Sequence, residues 1–232
     1  MRLAILMSNT DESEFSGQHP KDGDKWQALL APLCPACSFT VYSVKDGEFP
    51  QKESQYDGWI ITGSPASVHD LDPWLDQLFA LIRRIVDRGT PLFGACFGHQ
   101  AIALALGGTV ANTPGGWVFG TTETTVTAPA PWMVAGPVKQ YAAHVEQVVV
   151  LPKGATVIMS NTDRPVGGFV MGDHVFTTQY HPEMTHDFIT TLIDELTDQK
   201  PTDVIDTARA SLVDTAENDT FAAWVMAFLR RS

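Results

Sequence analysis

The stretch Pro91–Gly108, PLFGACFGHQAIALALGG, constrains the fold more tightly than any other part of the chain. It reads as a short apolar strand, then a cysteine with Gly94 and Gly98 two residues to either side, then a helix ended by Gly107 and Gly108. Cys96 therefore falls where a strand turns sharply into a helix, and the paired glycines mark places where a Cβ would crowd that turn. A strand–nucleophile–helix elbow of the Gly-x-Ser-x-Gly kind has this form, here with a thiol in place of the hydroxyl. A cysteine at a helix start feels the positive end of the helix dipole, which favours thiolate. A merely buried cysteine would not require the two glycines.

The segments around the elbow alternate between strand and helix. Arg2–Met7, Ser38–Val44 and Gly58–Thr62 read as strands, the last running into the turn-rich GSPAS. Lys25–Leu33 has helical spacing through Trp26, Leu29, Leu30 and Leu33, and Ser8–Gly23 is a polar loop. Leu71–Arg88 is a strong amphipathic helix with Pro73 near its first turn. This alternation predicts right-handed βαβ units, a parallel sheet covered on both faces, and a ligand at the carboxyl ends of the strands. Both the GSP turn and Cys96 lie at that edge. From Thr109 to Met184 the texture changes to Thr, Val, Gly and Pro, which predicts several antiparallel strands, among them Gly120–Ala128, Val148–Leu151, Ala155–Ser160, Gly168–Met171 and His174–Tyr180. Helices return from about residue 185 and close with Phe221–Phe228, so residues 1–232 are expected to form a single domain.

A formal net charge of −12 argues against nucleic acid or an anionic membrane as partner. No run of about 18 apolar residues suggests a membrane span, and the N-terminus lacks the form of a secretory signal. The expectation is a cytoplasmic protein acting on a small molecule without metal or cofactor. Three cysteines make no disulfide framework. Cys34 and Cys37 form a Cys-x-x-Cys pair between a helix and a strand, and read as loop or packing cysteines.

A cysteine nucleophile needs a base. Of seven histidines, His181 follows the strand VFTTQY and precedes Pro182 and Glu183. Residues two apart in an extended segment point the same way, so Glu183 can orient His181 as the third member of a triad does. His99, in the first turn of the elbow helix, reads as packing or support, and His144 as a residue of the site's edge. Trp117, on the Gly-rich loop after the elbow helix, is a candidate to line the site.

GACFGHQ followed far downstream by QYHPE resembles the class I (triad-type) glutamine amidotransferases. ITGSPASV resembles that family's oxyanion strand and turn, HVEQVVVLPKGA its His-x-Asp-x-Val segment, and GGWVFGTTE a Gly-rich stretch of stand-alone members. The resemblance implies a flavodoxin-like, doubly wound α/β fold with a small antiparallel extension. It implies that Cys96 attacks the side-chain amide of glutamine to give a γ-glutamyl thioester and ammonia, with His181 as general acid and base and Glu183 orienting it. It places the oxyanion hole at the backbone N–H groups of Gly63 and Phe97, and Gln100 against bound glutamine, with Ser64, His144 and Trp117 as further substrate contacts. Glu146 stands where the family has aspartate and Ala143 where many members have a polar residue, which leaves the substrate open. No synthetase signature accompanies the motifs, so the expectation is a stand-alone member, for which a synthetase or other ammonia-acceptor protein is a candidate partner. A γ-glutamyl peptidase or hydrolase using the same thioester is the alternative, and a non-catalytic binding or regulatory subunit the second.

Overall fold

The computed structural model describes residues 1–162 and 164–231. Its core is a nine-stranded sheet built from β1 (Arg2–Met7), β2 (Ser38–Ser43), β3 (Gly58–Ile61), β4 (Leu92–Ala95), β6 (Val118–Val126), β7 (Gly136–His144), β9 (Ala155–Ser160), β10 (Gly168–Met171) and β11 (Val175–Thr178). Two further strands, β5 (Thr109–Asn112) and β8 (Glu146–Val150), form a separate antiparallel pair. The order across the large sheet is β2-β1-β3-β4-β11-β10-β9-β6-β7. The first five strands are mutually parallel, and each of the last four pairs antiparallel with the strand before it in that order. This is the doubly wound, mainly parallel α/β architecture expected from the alternating pattern.

Strand alternation sends successive side chains to opposite faces. Ala4, Leu6, Trp59, Ile61 and Leu92 pack under α3 (Pro73–Asp87) and α4 (Phe97–Ala105). Leu3, Ile5, Ile60, Phe93 and Ala95 pack under α2 (Asp22–Leu30) and α7 (Asn218–Leu229). A third cluster joins Phe119 and Tyr141 of the antiparallel strands to α5 (His186–Glu195) and α6 (Thr202–Ser211).

Several local expectations shift. The loop at 8–23 contains a short helix, α1 (Glu14–Gly17), whose N-cap Ser13 accepts from Ser16 N. The helix expected over Lys25–Leu33 starts earlier, at Asp22, and tightens to a 3₁₀ turn over Ala31–Leu33, where Pro32 brings no N–H. Strand β7 is not among the expected strands. It pairs with β6 along its whole length, and its buried Gln140 breaks the apolar alternation that would have marked it. Cys34 and Cys37 are corrected from loop cysteines to a disulfide, with Cα atoms 5.3 Å apart, closing the turn before β2.

The elbow is tied to both neighbours of β4. Cys96 N–H donates to Thr178 O (2.9 Å) at the end of β11, and Gly98 N–H donates to Thr62 O (3.1 Å) after β3. Cys96 has φ +49°, the one positive φ among the described residues other than glycine. A Cβ at Gly98 would overlap Ile61 O, and one at Gly94 would lie 2.6 Å from Gly98 O. Gly98→Ala is therefore expected to lower stability by about 1–3 kcal/mol, because backbone must move to admit the methyl group. Thermal or urea unfolding checks this, and an unshifted midpoint would contradict the close approach.

Candidate active site

Three adjacent parallel strands, β3, β4 and β11, deliver Gly63, Cys96 and His181 to one edge of the sheet. The residues just past their carboxyl ends meet there. A Cβ built on Gly63 would lie 2.7 Å from His181 Cε1 and 3.7 Å from Cys96 Cβ, so the bare glycine backbone lies between the imidazole and the thiol. Ser8, at the end of β1, pins this turn: its Oγ donates to Thr62 O (3.0 Å) and Gly63 O (3.2 Å), and Thr62 Oγ1 accepts from Ser8 N (3.0 Å). Phe97, as the first residue of α4, has an N–H that no intrahelical carbonyl can take.

His181 Nδ1 and Glu183 Oε1 are 2.8 Å apart and both side chains are buried. This fixes the ring and leaves Nε2 with no nitrogen or oxygen partner. Burial acts to lower the His181 pKa, but the adjacent Cys96 and Glu183 outweigh it and hold the pKa well above its ordinary value. The other two buried histidines behave oppositely. Burial pushes His99 down to about 3, with the His144 charge adding to it. Burial also pushes His144 down to about 3 against the Glu146 carbonyl, which favours the charged ring. Only His181 of the three combines a carboxylate partner with a neighbouring thiol. The arrangement can hold a thiol, move a proton, and present backbone donors to a developing oxyanion.

A cleft of about 370 Å³ opens onto this edge. Gly63, Ser64, Trp117, Ala143 and His181 line it, together with the N-terminal loop and one side of α5. Gln100 and His144 do not line it. Gln100 Nε2 donates to Glu146 O (2.8 Å) and Gln179 Oε1 (3.3 Å), and His144 Nδ1 meets the same Glu146 carbonyl (2.9 Å). Like Cys96, which is also absent from the lining, both side chains lie buried beside the cleft. Ser64 Oγ accepts from Ala66 N. His99 Nδ1 pairs with Thr177 Oγ1 (2.8 Å), the supporting role expected of it.

Residues 34–193 match the family model described as glutamine amidotransferase class-I. The chain belongs to that family. Among similar proteins, γ-glutamyl peptidase 5 of Arabidopsis thaliana is 28% identical over 94% of this chain and 90% of its own length. A GMP synthase (glutamine-hydrolysing) of Corynebacterium diphtheriae is 37% identical, but over 55% of this chain and 23% of that protein. A crystal structure of a glutamine amidotransferase from Thermotoga maritima superposes with a TM-score of 0.77 at 19% identity, covering 99% of this chain and 98% of that one, which shows a shared fold.

Sequence reasoning about this class-I domain missed the groups that support the site. Ser8 and Thr62 sit in ordinary strand-end sequence, and nothing local marks them. Gln179, whose Nε2 lies 3.8 Å from Cys96 Sγ, stands in the QYHPE motif without a role of its own. Phe188 and Leu192 carry a helical period that reads as core, yet they face the cleft. No helix among the described residues is long and apolar enough to cross a membrane.

The raised His181 pKa has a definite sign for stability. A histidine pKa raised on folding stabilises the fold fully below its unfolded value of about 6.5, and that contribution is lost as pH rises through the folded value. Glu183→Gln removes one of the groups raising it. Its destabilisation relative to wild type should be largest near pH 6 or so and shrink as pH rises. Urea midpoints across that range read the effect, and a pH-independent difference would contradict the pairing.

Proposed function

We propose that the protein is an amidohydrolase that cleaves γ-glutamyl amide bonds through a thioester on Cys96. The observation that carries this is the His181–Glu183 pair set against Cys96 across Gly63, at the ends of three neighbouring strands. Cys96 Sγ attacks the γ-carbonyl carbon, and the oxyanion that forms is held by the N–H groups of Gly63 and Phe97. His181 Nε2 passes a proton to the departing nitrogen as the C–N bond breaks. It then takes a proton from the water that attacks the thioester, releasing glutamate and restoring the thiol. Glu183 keeps the ring in one orientation and stabilises its charged form throughout.

Glutamine is the smallest substrate this chemistry accepts, with ammonia as leaving group. The cleft lies within the about 300–1,000 Å³ that holds drug-sized ligands, which favours a larger γ-glutamyl conjugate. The similarity to γ-glutamyl peptidase 5 over nearly the whole chain supports the same choice. A second reading, a glutaminase that feeds ammonia to a synthetase partner, draws on the similarity to part of GMP synthase.

A screen of glutamine and γ-glutamyl peptides, reading glutamate and ammonia, separates the two. Peptide turnover exceeding glutamine turnover supports the first reading, and glutamine turnover alone supports the second. Cys96→Ala should lower turnover of every substrate by about 10⁴-fold or more while the fold persists; undiminished activity in that variant would sink both readings. Gly63→Ala forces a methyl group against the His181 ring, and kcat should fall by about 10²-fold. Stopped assays alongside circular dichroism distinguish this loss from unfolding.

A further inference from the structure

The cleft extends well past the reacting centre. From the base outward its wall is a row of apolar side chains, Met184, Phe188, Leu192 and Leu196, followed by Lys200. Spaced four apart, these residues fall on one side of α5 and the turn that continues it. The eight residues from Phe188 to Leu196 carry that face about 12 Å along the helix, away from His181. At the far end Lys200 Nζ lies 3.9 Å above the centroid of the Trp117 ring, which also lines the cleft.

Of the four lysines that line the cleft, Lys21 and Lys200 form no ion pair with a described residue, and of these two only Lys200 rests on an aromatic ring. Lys25 and Lys45 also line the cleft, and each is neutralised, by Asp22 at 2.9 Å and by Glu12 at 2.5 Å. Lys200 forms no ion pair with any described residue, although the chain carries twelve more acidic than basic groups. Its pKa is lowered by burial, with no carboxylate to oppose the effect. An ammonium partly stripped of water and resting on an indole face keeps most of its capacity to bind an anion.

The direction of the chemistry says which part of a substrate lies there. His181 protonates the departing nitrogen, so the leaving group must touch His181, and Met184, whose N–H donates to His181 O (3.4 Å), begins the apolar row. We propose that this outer half of the cleft is a leaving-group subsite for a short apolar peptide with a free carboxylate: Lys200 receives the carboxylate, and Trp117, Phe188 and Leu196 the apolar body. The inference rests on the γ-glutamyl thioester reading above. Four extended residues span about 13 Å, so a peptide of about that length with apolar side chains reaches along the row, whereas ammonia from glutamine uses none of it.

The test compares kcat/KM for a γ-glutamyl tetrapeptide, γ-glutamyl-Leu-Ala-Leu-Gly, its C-terminal amide and glutamine, in wild type, Lys200→Met and Lys200→Arg. Wild type is expected to prefer the free acid over the amide by about tenfold or more, the usual scale of a charge-assisted bond. Lys200→Met should bring that ratio close to one and Lys200→Arg should restore most of it. Hydrolysis of the thioester, measured after the amine has left, should be unaffected by either change. Equal handling of acid and amide by wild type, or an acid preference that survives Lys200→Met, overturns the subsite. Turnover of glutamine alone also overturns it while leaving the thioester chemistry standing. If no substrate yields glutamate and Cys96 is never acylated, the underlying reading fails and the subsite with it.

Discussion

A backbone approach too close for any Cβ underlies the whole site. At Gly98 the space for a side chain is occupied by Ile61 O, and α4 can lie against the end of β3 only because nothing intervenes. That contact forces the chain to reverse at Cys96, whose φ of +49° costs on the order of 1–3 kcal/mol for a residue with a Cβ. The strain is held by hydrogen bonds on both sides, to Thr178 O and Thr62 O. One close contact therefore sets the thiol's position, aligns three strands and brings Gly63 and His181 to the same place.

Electrostatics then separates otherwise similar groups. His99, His144 and His181 are all buried, and burial works against the charged form in each. Two of them face a hydroxyl or a carbonyl and stay neutral. His181 faces a carboxylate and a thiol, and their charge outweighs the loss of hydration. Which histidine favours its charged form is thus set by its partners, not by its depth. The same reasoning makes Lys200 conspicuous at the other end of the cleft, where burial acts without a compensating acid.

Much of the fold was legible in local sequence. Apolar runs such as LAIL and WII mark parallel strands buried on both faces, and the period of Trp74, Leu75, Leu78 and Ile82 marks α3. The elbow was legible because glycines on both sides of a cysteine are what a tight strand-to-helix turn demands. Strand β7 was not, since Gln140 is buried through a bond from Thr178 Oγ1 that no local pattern announces. Gln100 and His144 were expected beside a substrate from the resemblance and from their places at the elbow helix and the site's edge. In the fold both turn to the Glu146 carbonyl, a partner more than forty residues from Gln100. The cleft wall at Phe188 and Leu192 was not legible, because an apolar helical face looks the same whether it packs on a core or also borders a cleft.

The sequence by itself determined the elbow, the alternation of strands and helices, and the pairing of His181 with Glu183. These depend on steric and rotational rules that act within a few residues. Only the tertiary structure decided that the thiol and this pair share one edge, that Ser8 and Thr62 hold Gly63 in place there, and that Lys200 rests on Trp117 without an acid. Those facts depend on strand order and on how far burial strips water from each charge, and neither is a local property of the chain.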